Sequence, residues 1–550
     1  MVDKTNLNAS NLKLALWQMN STVGDFVGNA AKIQKAAQRA QREGAGLLLT
    51  PEMSLVGYPA EDWILRDNFC EKAKVALNRL AETLKDSIPV LVGTVWKDES
   101  GVRRNALAFL RNGRVEALYF KQHLPGYGVF DEPRVFTAGD RPVVIEVAGV
   151  RLGLAICEDL WHSDVVVQTV ATGAEVILSA NASPFEVAKA AERERVILPT
   201  LREHQVPLLY VNAVGGQDEL VFDGAGFAAD AEGTVFFRQK AFAEDLLLVS
   251  VGELTQTHES VVPPEGEQER LASLYKALKL ALMDYVHKNG FQQVVIGLSG
   301  GIDSALVATI AANALGPQNV LAVMMPTRFT ADLSFDLAKQ QVTNLGIPYV
   351  VRPIEALFKG YQALLADDFA GQPWDVTEEN LQARIRGTVL MAYANKFRRL
   401  VITTGNKSET AVGYSTLYGD TAGAFALIKD VYKTDVWALA RWINRERGHE
   451  VIPEALINRP PSAELREGQL DEGTLPKYAV LDAVLKAYVD EQQSAEEAAA
   501  IAGCDLSVAE RVVRLVHRNE YKRRQSPVGP KLSGRAFGRD WRYPMTNSWR

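Results

Sequence analysis

Gly297-Leu298-Ser299-Gly300-Gly301-Ile302-Asp303-Ser304 joins an apolar run, Gln293-Val294-Val295-Ile296, to the start of an apolar helix, Ala305-Leu306-Val307-Ala308. Strand, glycine-rich turn and helix in that order define an α/β unit with an anion cradle at its joint. Glycines let backbone N–H groups approach an oxyanion closely, and the helix N-terminus adds partial positive charge. Neither common nucleotide fingerprint fits. No Lys follows the glycines as in a Walker loop, and the spacing is not G-x-G-x-x-G. Ser299 and Ser304 offer hydroxyls to phosphate oxygens, and Asp303 offers a carboxylate to Mg²⁺. A tight turn with incidental hydroxyls would explain the Gly-Gly pair alone. It does not explain the whole octet in this setting.

Working outward, the C-terminal half alternates strands and helices. A helix is expected over Gln268–Lys288, and strands over Val294–Leu298, Val320–Met324, Pro348–Val351 and Leu400–Thr403, with helices between. That order predicts a doubly wound parallel sheet with its ligand at the strand C-termini. The last of these strands runs into Thr403-Thr404-Gly405-Asn406-Lys407-Ser408-Glu409, where Glu409 could complete a Mg²⁺ site with Asp303. The plain alternative is a helix start, with Ser408 as cap and Glu409 in the first turn. Lys433, in a turn-rich stretch, reads as a solvated charge. From Tyr521 to Arg550 there are eight Lys/Arg and one Asp, against a whole-chain charge of −7. Such a segment is either a solvated tail or a basic flap over phosphates.

The N-terminal half mixes hairpin-like strands with crossover helices. Strands are expected at Lys13–Gln18, Gly46–Thr50, Val90–Val95, Ala106–Leu110, Val143–Val147, Gly153–Ile156, Val176–Ser179, Leu208–Asn212 and Leu246–Val251. Helices are expected at Asn29–Glu43, Glu71–Lys85 and Phe185–Gln205. This reads as a layered α/β fold. A polar, acidic, Pro-containing stretch from Glu253 to Glu267 reads as a linker. With 550 residues, 47% hydrophobic and 23% charged, the chain has the make-up of a soluble enzyme of several domains. Its acidic balance argues against general nucleic-acid binding. No apolar run reaches the ~18 residues of a membrane span, and no signal peptide is expected. Cys70, Cys157 and Cys504 form no C-x-x-C pair. Neither a disulfide framework nor a zinc site is expected, and a cytoplasmic setting fits.

Cys70 and Cys504 read as small hydrophobes. Cys157 differs, because it closes the strand Leu152–Ile156 and precedes Glu158-Asp159. Two other expected strand ends carry Glu52, after GLLLTP, and Lys121, after ALYF. A thiol is a good nucleophile only as thiolate, so a carboxylate must take its proton and an ammonium must stabilise the resulting charge. Taken singly, Glu52 and Lys121 would be surface charges.

Two resemblances assign these residues. The octet resembles the pyrophosphate loop of ATP pyrophosphatases, which split ATP into AMP and pyrophosphate. Together with NLQARIRGTVLMAYAN, TTGNKSE, YGDTAGAFALIKDVYKTDV, PPSAELREGQLDE and EYKRRQSP, it makes the second half similar to NAD synthetases. The resemblance implies a Rossmann-like, adenine nucleotide α-hydrolase-like fold, with ATP at Gly297, Leu298, Ser299, Gly300, Gly301, Ile302, Asp303, Ser304 and Thr404. It implies deamido-NAD⁺ at Asn380, Glu409 and Lys522, and metal at Asp303 and Glu409. Phe329-Thr330-Ala331 departs from the Tyr-Ser-Ser often found there, which puts hydroxyl contacts from that loop in question.

TPEMSLVGYP, YFKQHLPGYGVFDEPRVFTAG, ICEDLW and SANASPFE resemble the nitrilase superfamily. That implies an αββα sandwich, a Glu52–Lys121–Cys157 triad with Glu132 as a second carboxylate, and glutamine at Tyr127, Ser183 and Lys189. The expected organisation is a glutaminase domain over 1–255, a linker over 256–267 and a synthetase domain over 268–550. The fused pair resembles glutamine-dependent NAD⁺ synthetases, carbon–nitrogen ligases that use glutamine, ATP and Mg²⁺. Such a fusion argues for a sequestered path for ammonia, and relatives imply a homo-oligomer, dimer-based and up to an octamer. Two rivals stay open. One is another ATP-pyrophosphatase amidotransferase, acting on a nucleotide base or tRNA; the other is a binding protein with inactive sites. No nucleic-acid or membrane partner is expected.

Overall fold

The computed structural model describes residues 11–263, 265–469, 471 and 475–549. They separate into two compact units that divide at Glu265, with Asp218–Leu220 grouped in the second. The first unit carries β1 (Lys13–Gln18), β2 (Leu47–Leu49), β3 (Val90–Lys97), β4 (Arg103–Arg111), β5 (Arg114–Phe120), β6 (Val144–Val147) and β7 (Val150–Ile156). It continues with β8 (Val176–Asn181), β9 (Leu208–Asn212), β10 (Val214–Gln217), β11 (Leu220–Asp223), β12 (Phe227–Ala229), β13 (Val235–Arg238) and β14 (Asp245–Ser250). One sheet runs β14-β1-β2-β3-β4-β5 and a second β13-β12-β9-β8-β7-β6, while β10 and β11 pair separately.

The period-two rule of strands decides the layering. Leu152, Leu154 and Ile156 of β7 enter a core that also holds Leu14, Leu16, Leu49 and Leu91 of the first sheet. On the outer side of the first sheet, α1 (Phe26–Arg42) and α2 (Asp67–Thr83) bury Ile33, Ala37 and Leu77. Ala155, Ile177 and Leu208 point out of the second sheet. They meet Val166 of α3 (Ser163–Ala171) and Ile197 and Leu201 of α4 (Lys189–His204). The expected αββα sandwich is what forms. Strands β10 to β13 were absent from the sequence expectation, and β5 was expected only through its end at ALYF. Val214-Gly-Gly-Gln217 and Phe227-Ala-Ala229 carry little intrinsic β preference, so their neighbours rather than their side chains set them.

In the second unit come α5 (Glu267–Lys288), β15 (Val294–Gly297), α6 (Ile302–Leu315), β16 (Val320–Met324), α7 (Asp332–Leu345), β17 (Tyr349–Val351), α8 (Glu355–Leu364) and α9 (Val376–Phe397). After them come β18 (Leu400–Thr403), α10 (Lys407–Val412), β19 (Phe425–Ala426) and α11 (Lys433–Arg447). The sheet order is β17-β16-β15-β18-β19, with every neighbouring pair parallel. The order reverses between β15 and β18. The loops after those two strands therefore leave in opposite directions and open a crevice at the switch point. Helix α6 is buried along nearly its whole length, as its run IDSALVATIAANAL requires. Strand β19 has two residues, too few to show a period.

Much of the basic C-terminal segment is packed against the second unit's helices rather than solvated. Arg523 and Lys531 are buried, and Phe537 and Trp541 join the core of the helical layer around Leu481 and Val512. Among the described residues no helix is long and apolar enough to cross a membrane.

Candidate active sites

In the first unit, Glu52, Lys121 and Cys157 stand at the ends of β2, β5 and β7, and all three are buried. The loop carrying Glu52 lies so close to β3 that a Cβ on Gly93 would meet Pro51 O at 2.2 Å, which only glycine permits. Lys121 Nζ donates to Glu52 Oε1 at 2.8 Å and to Glu132 Oε1 at 2.9 Å. Asn105 Nδ2 and the backbone N–H of Ala182 hold the Glu52 carboxylate at 2.6 and 2.9 Å. Tyr58 donates to Glu132 Oε1 at 2.9 Å.

Burial alone would discharge Lys121, but Glu132 and Glu52 hold its ammonium well above the ordinary lysine range. Burial and the Glu52 charge push Cys157 well above an ordinary thiol, against the pull of Lys121. The sulfur is therefore a neutral thiol that needs a base. Glu132 is pushed up to about 7, by burial first; Lys121 opposes this and Glu52 adds to it. Cys157 itself sits at φ 46°, in the left-handed region that non-glycine residues seldom adopt.

Asp159 binds the parts together. Its Oδ1 accepts from the N–H groups of Gln122 and His123, both at 2.9 Å, just after Lys121. Its Oδ2 accepts from Ile156 N at 2.9 Å, just before Cys157, and from Tyr119 Oη at 2.7 Å. The three residues expected to hold glutamine have different surroundings. Tyr127 is 56% exposed and donates to Glu158. Ser183 is buried, with its Oγ accepting from Arg193 Nε at 3.1 Å. Lys189 pairs with Glu192 at 3.0 Å and lies over the Trp161 ring.

In the second unit the octet lines a cleft of about 300 Å³ at the switch point, and Thr404 lines it too. At Gly300, with φ 78°, a Cβ would meet Ser334 O at 2.3 Å, so the turn and α7 can approach only through glycine. Ser304 Oγ lies 3.1 Å from Ser299 Oγ. The carboxylates of Asp303 and Glu409 both face Lys433, which contacts Asp303 closely and Glu409 at 3.5 Å. Burial and the Asp303 charge push Glu409 up to about 8 against the pull of Lys433. Helix α10 opens with a reciprocal cap in which Asn406, not Ser408, accepts from Glu409 N at 2.9 Å. Ser408 is buried and donates to Asp482 instead. Asn406 Nδ2 also reaches Asp303 at 2.9 Å.

Asn380 does not line the cleft; its Oδ1 accepts from Thr416 Oγ1 at 2.7 Å, and Thr416 does line it. Lys522 donates to Gly413 O and Ser415 O, both at 2.8 Å, beside a smaller recess that shares Glu409 and Tyr414 with the cleft. Thr330 lines the cleft, so the departing Phe329-Thr330-Ala331 loop keeps one hydroxyl there.

Sequence reasoning passed over Asn105, Asp159, Arg386 and Arg459, and it took Lys433 for a solvated charge. Lys433 is buried, its ammonium over the rings of Trp437 and Tyr478. The signal was present in its position at the start of α11, facing the octet across the sheet end, but it needed the fold to be seen.

The chain matches the carbon-nitrogen hydrolase family over residues 13–258 and the NAD synthase family over residues 274–526. The glutamine-dependent NAD(+) synthetase of Acinetobacter baylyi is 44% identical over 538 residues, covering 98% of this chain and 99% of that protein. The Thermotoga maritima enzyme of the same name is 43% identical, with 98% and 99% covered. The glutamine-dependent NAD+ synthetase of Acinetobacter baumannii, solved with ADP, superposes with a TM-score of 0.77 at 40% identity, covering 98% of this chain and 99% of that one. Two family matches in the order of the two units, and similarity over the full length of these relatives, lead to one assignment: the chain belongs to the glutamine-dependent NAD(+) synthetases.

Proposed function

We propose that the first unit releases ammonia from glutamine and that the second unit spends ATP to join that ammonia to deamido-NAD⁺. The products are NAD⁺, glutamate, AMP and pyrophosphate. The observation that carries this reading is one chain holding both a buried carboxylate–ammonium–thiol cluster and a phosphate cradle at a switch point.

In the first site Cys157 Sγ attacks the carboxamide carbon of glutamine. Its proton goes to Glu52 Oε2, which accepts from Ala182 N–H and keeps a lone pair. Lys121 has three protons and gives two to carboxylates, so one remains for the oxyanion. Ammonia leaves with the proton held on Glu52, and water then discharges the thioester as glutamate. Tyr127, Ser183 and Lys189 hold the glutamine.

In the second site the carboxylate of deamido-NAD⁺ is a poor electrophile until it is adenylated. It attacks the α-phosphorus of ATP, and pyrophosphate leaves against the N–H groups and hydroxyls of residues 297–304. Ammonia then displaces AMP. Asn380, Glu409 and Lys522 hold deamido-NAD⁺, and Thr404 contacts ATP.

Asp303 and Glu409 suit Mg²⁺. Two carboxylates share one lysine, and burial keeps Glu409 partly protonated until further positive charge arrives. Among the described residues no cluster of three or more His, Cys, Asp or Glu could hold a metal, so phosphate oxygens must complete the set. Bound there, Mg²⁺ supplies charge neutralisation for the phosphates.

Residues 256–267 serve as the linker between a glutaminase domain over 1–255 and a synthetase domain over 268–550. The thiols of Cys70, Cys157 and Cys504 are free, which suits the reducing cytoplasm. Exposed Leu357, Tyr361, Leu364 and Phe397 on α8 and α9 support a homo-oligomer. Light scattering that returns the single-chain mass of 60.4 kDa would overturn that state. The central test supplies deamido-NAD⁺, ATP and glutamine and follows NAD⁺, AMP and pyrophosphate. ADP and phosphate as stoichiometric products would refute the route.

A further inference from the structure

Three basic side chains line the synthetase cleft: Arg386, Lys433 and Arg459. Two are satisfied by the protein. Lys433 faces Asp303 and Glu409, and Arg459 pairs with Glu464 at 2.5 Å while also reaching Ser334. Arg386 is different. Among the described residues its guanidinium makes one hydrogen bond, from Nε to Met325 O at 3.1 Å, and no ion pair. Burial pushes it down to about 10, and the only carboxylate acting on it is Glu464, which already serves Arg459.

Arg386 is half-buried, and a guanidinium drawn out of water without an anion beside it is costly, so folded chains rarely keep one without use. Its place narrows the use. Arg386 stands on α9 one turn before Leu390, which packs on Gly297 at the root of the octet, and Nε is tied to the end of β16. The bond to Met325 fixes the plane of the fork and leaves the two NH₂ groups to the cleft. A planar fork with paired donors matches phosphate oxygens.

We propose that Arg386 is a phosphate-binding residue of this cleft, gripping a phosphate of either ATP or deamido-NAD⁺. The proposal rests on the synthetase reading above. Among the described residues Arg386 thus has no counter-ion of its own in the cleft until a nucleotide enters.

Calorimetric titration of the full chain with α,β-methylene-ATP, and separately with deamido-NAD⁺, tests this in R386Q and R386K beside the unaltered protein. Loss of roughly tenfold to a hundredfold in affinity for one ligand is expected in R386Q, with partial recovery in R386K. Whichever ligand weakens is the source of the phosphate. Steady-state assay with ammonium salts should show the same ligand's KM rising more than kcat falls. Folded variants with unchanged affinities, or two variants that both fail to fold, would make Arg386 a prop for the Met325 loop and end the proposal. If the unaltered protein binds both nucleotides but makes no NAD⁺, the functional reading fails while the arginine assignment stands.

Discussion

The two sites solve opposite electrostatic problems. Around Cys157 the protein supplies nearly every partner itself: Lys121 is neutralised twice, and Glu52 has donors on both oxygens. Around the octet two carboxylates again share one lysine, but beside them stands an arginine that, among the described residues, has no anion of its own. Glutamine brings little charge that matters to its amide, so the apparatus must be complete beforehand. ATP and deamido-NAD⁺ are themselves highly charged. A site that closed its own ion pairs would have to break them on binding.

The sharpest way to break this contrast is Cys157→Ala. It should lower glutamine-dependent NAD⁺ formation by at least ~10³-fold yet leave synthesis from ammonium salts. Loss of both in a folded protein would end the division of labour. Cys70→Ala and Cys504→Ala should leave ammonia release intact. Next comes Lys121→Met, which removes the oxyanion donor and strands two buried carboxylates. Glutamate release should fall roughly 10²- to 10³-fold, and the first unit should lose about 3 kcal/mol. Calorimetric melting and a coupled glutamate assay separate the two effects, and unchanged melting would contradict the double pairing of Lys121.

Acid–base behaviour sharpens the comparison. Glu409, pushed up to about 8, holds its proton in the folded protein where the unfolded chain has lost it. Its contribution to stability is full below the ordinary glutamate range and is lost as pH rises through about 8. The ligand-free protein should therefore melt at lower temperature as pH climbs from about 5 to 8. Glu409→Gln should flatten that fall; an unaltered slope would remove Glu409 as its source. Mg²⁺ should be needed at lower concentration as pH rises through the same range, since only the ionised carboxylate ligates.

The smallest effects belong to binding contacts. Tyr127→Phe should raise KM for glutamine by ~3- to 10-fold, and Lys522→Ala should raise KM for deamido-NAD⁺ while ammonia release persists. Exchanged phenotypes would reverse the assignment of substrates to units.

Much of this was legible in the chain because its key residues terminate strong apolar strands. Ile156 and Ile296 close apolar runs, so Cys157 and the octet could be placed at the C-terminal ends of strands from sequence alone. Lys433 could not be, since its burial depends on Tyr478 arriving from a separate helix as well as on Trp437 one turn along its own. Asn105 lies within β4, and nothing in RRNALAFLR marks its amide as aimed at Glu52. The basic C-terminal segment misled for a related reason: composition reports charge, while Arg523 and Lys531 are spent on buried carbonyls and carboxylates.

Asp159 has a mechanical meaning as well. One carboxylate takes four donors from the segments flanking Lys121 and Cys157. Any thermal excursion of one segment drags the other, so ammonium and sulfur travel as one rigid body. Breathing of the surrounding pocket then alters how readily glutamine enters or glutamate departs, but not the gap across which negative charge must develop. The turnover of this half should follow the traffic of small molecules through its mouth, with the chemistry itself indifferent to the protein's slower motions.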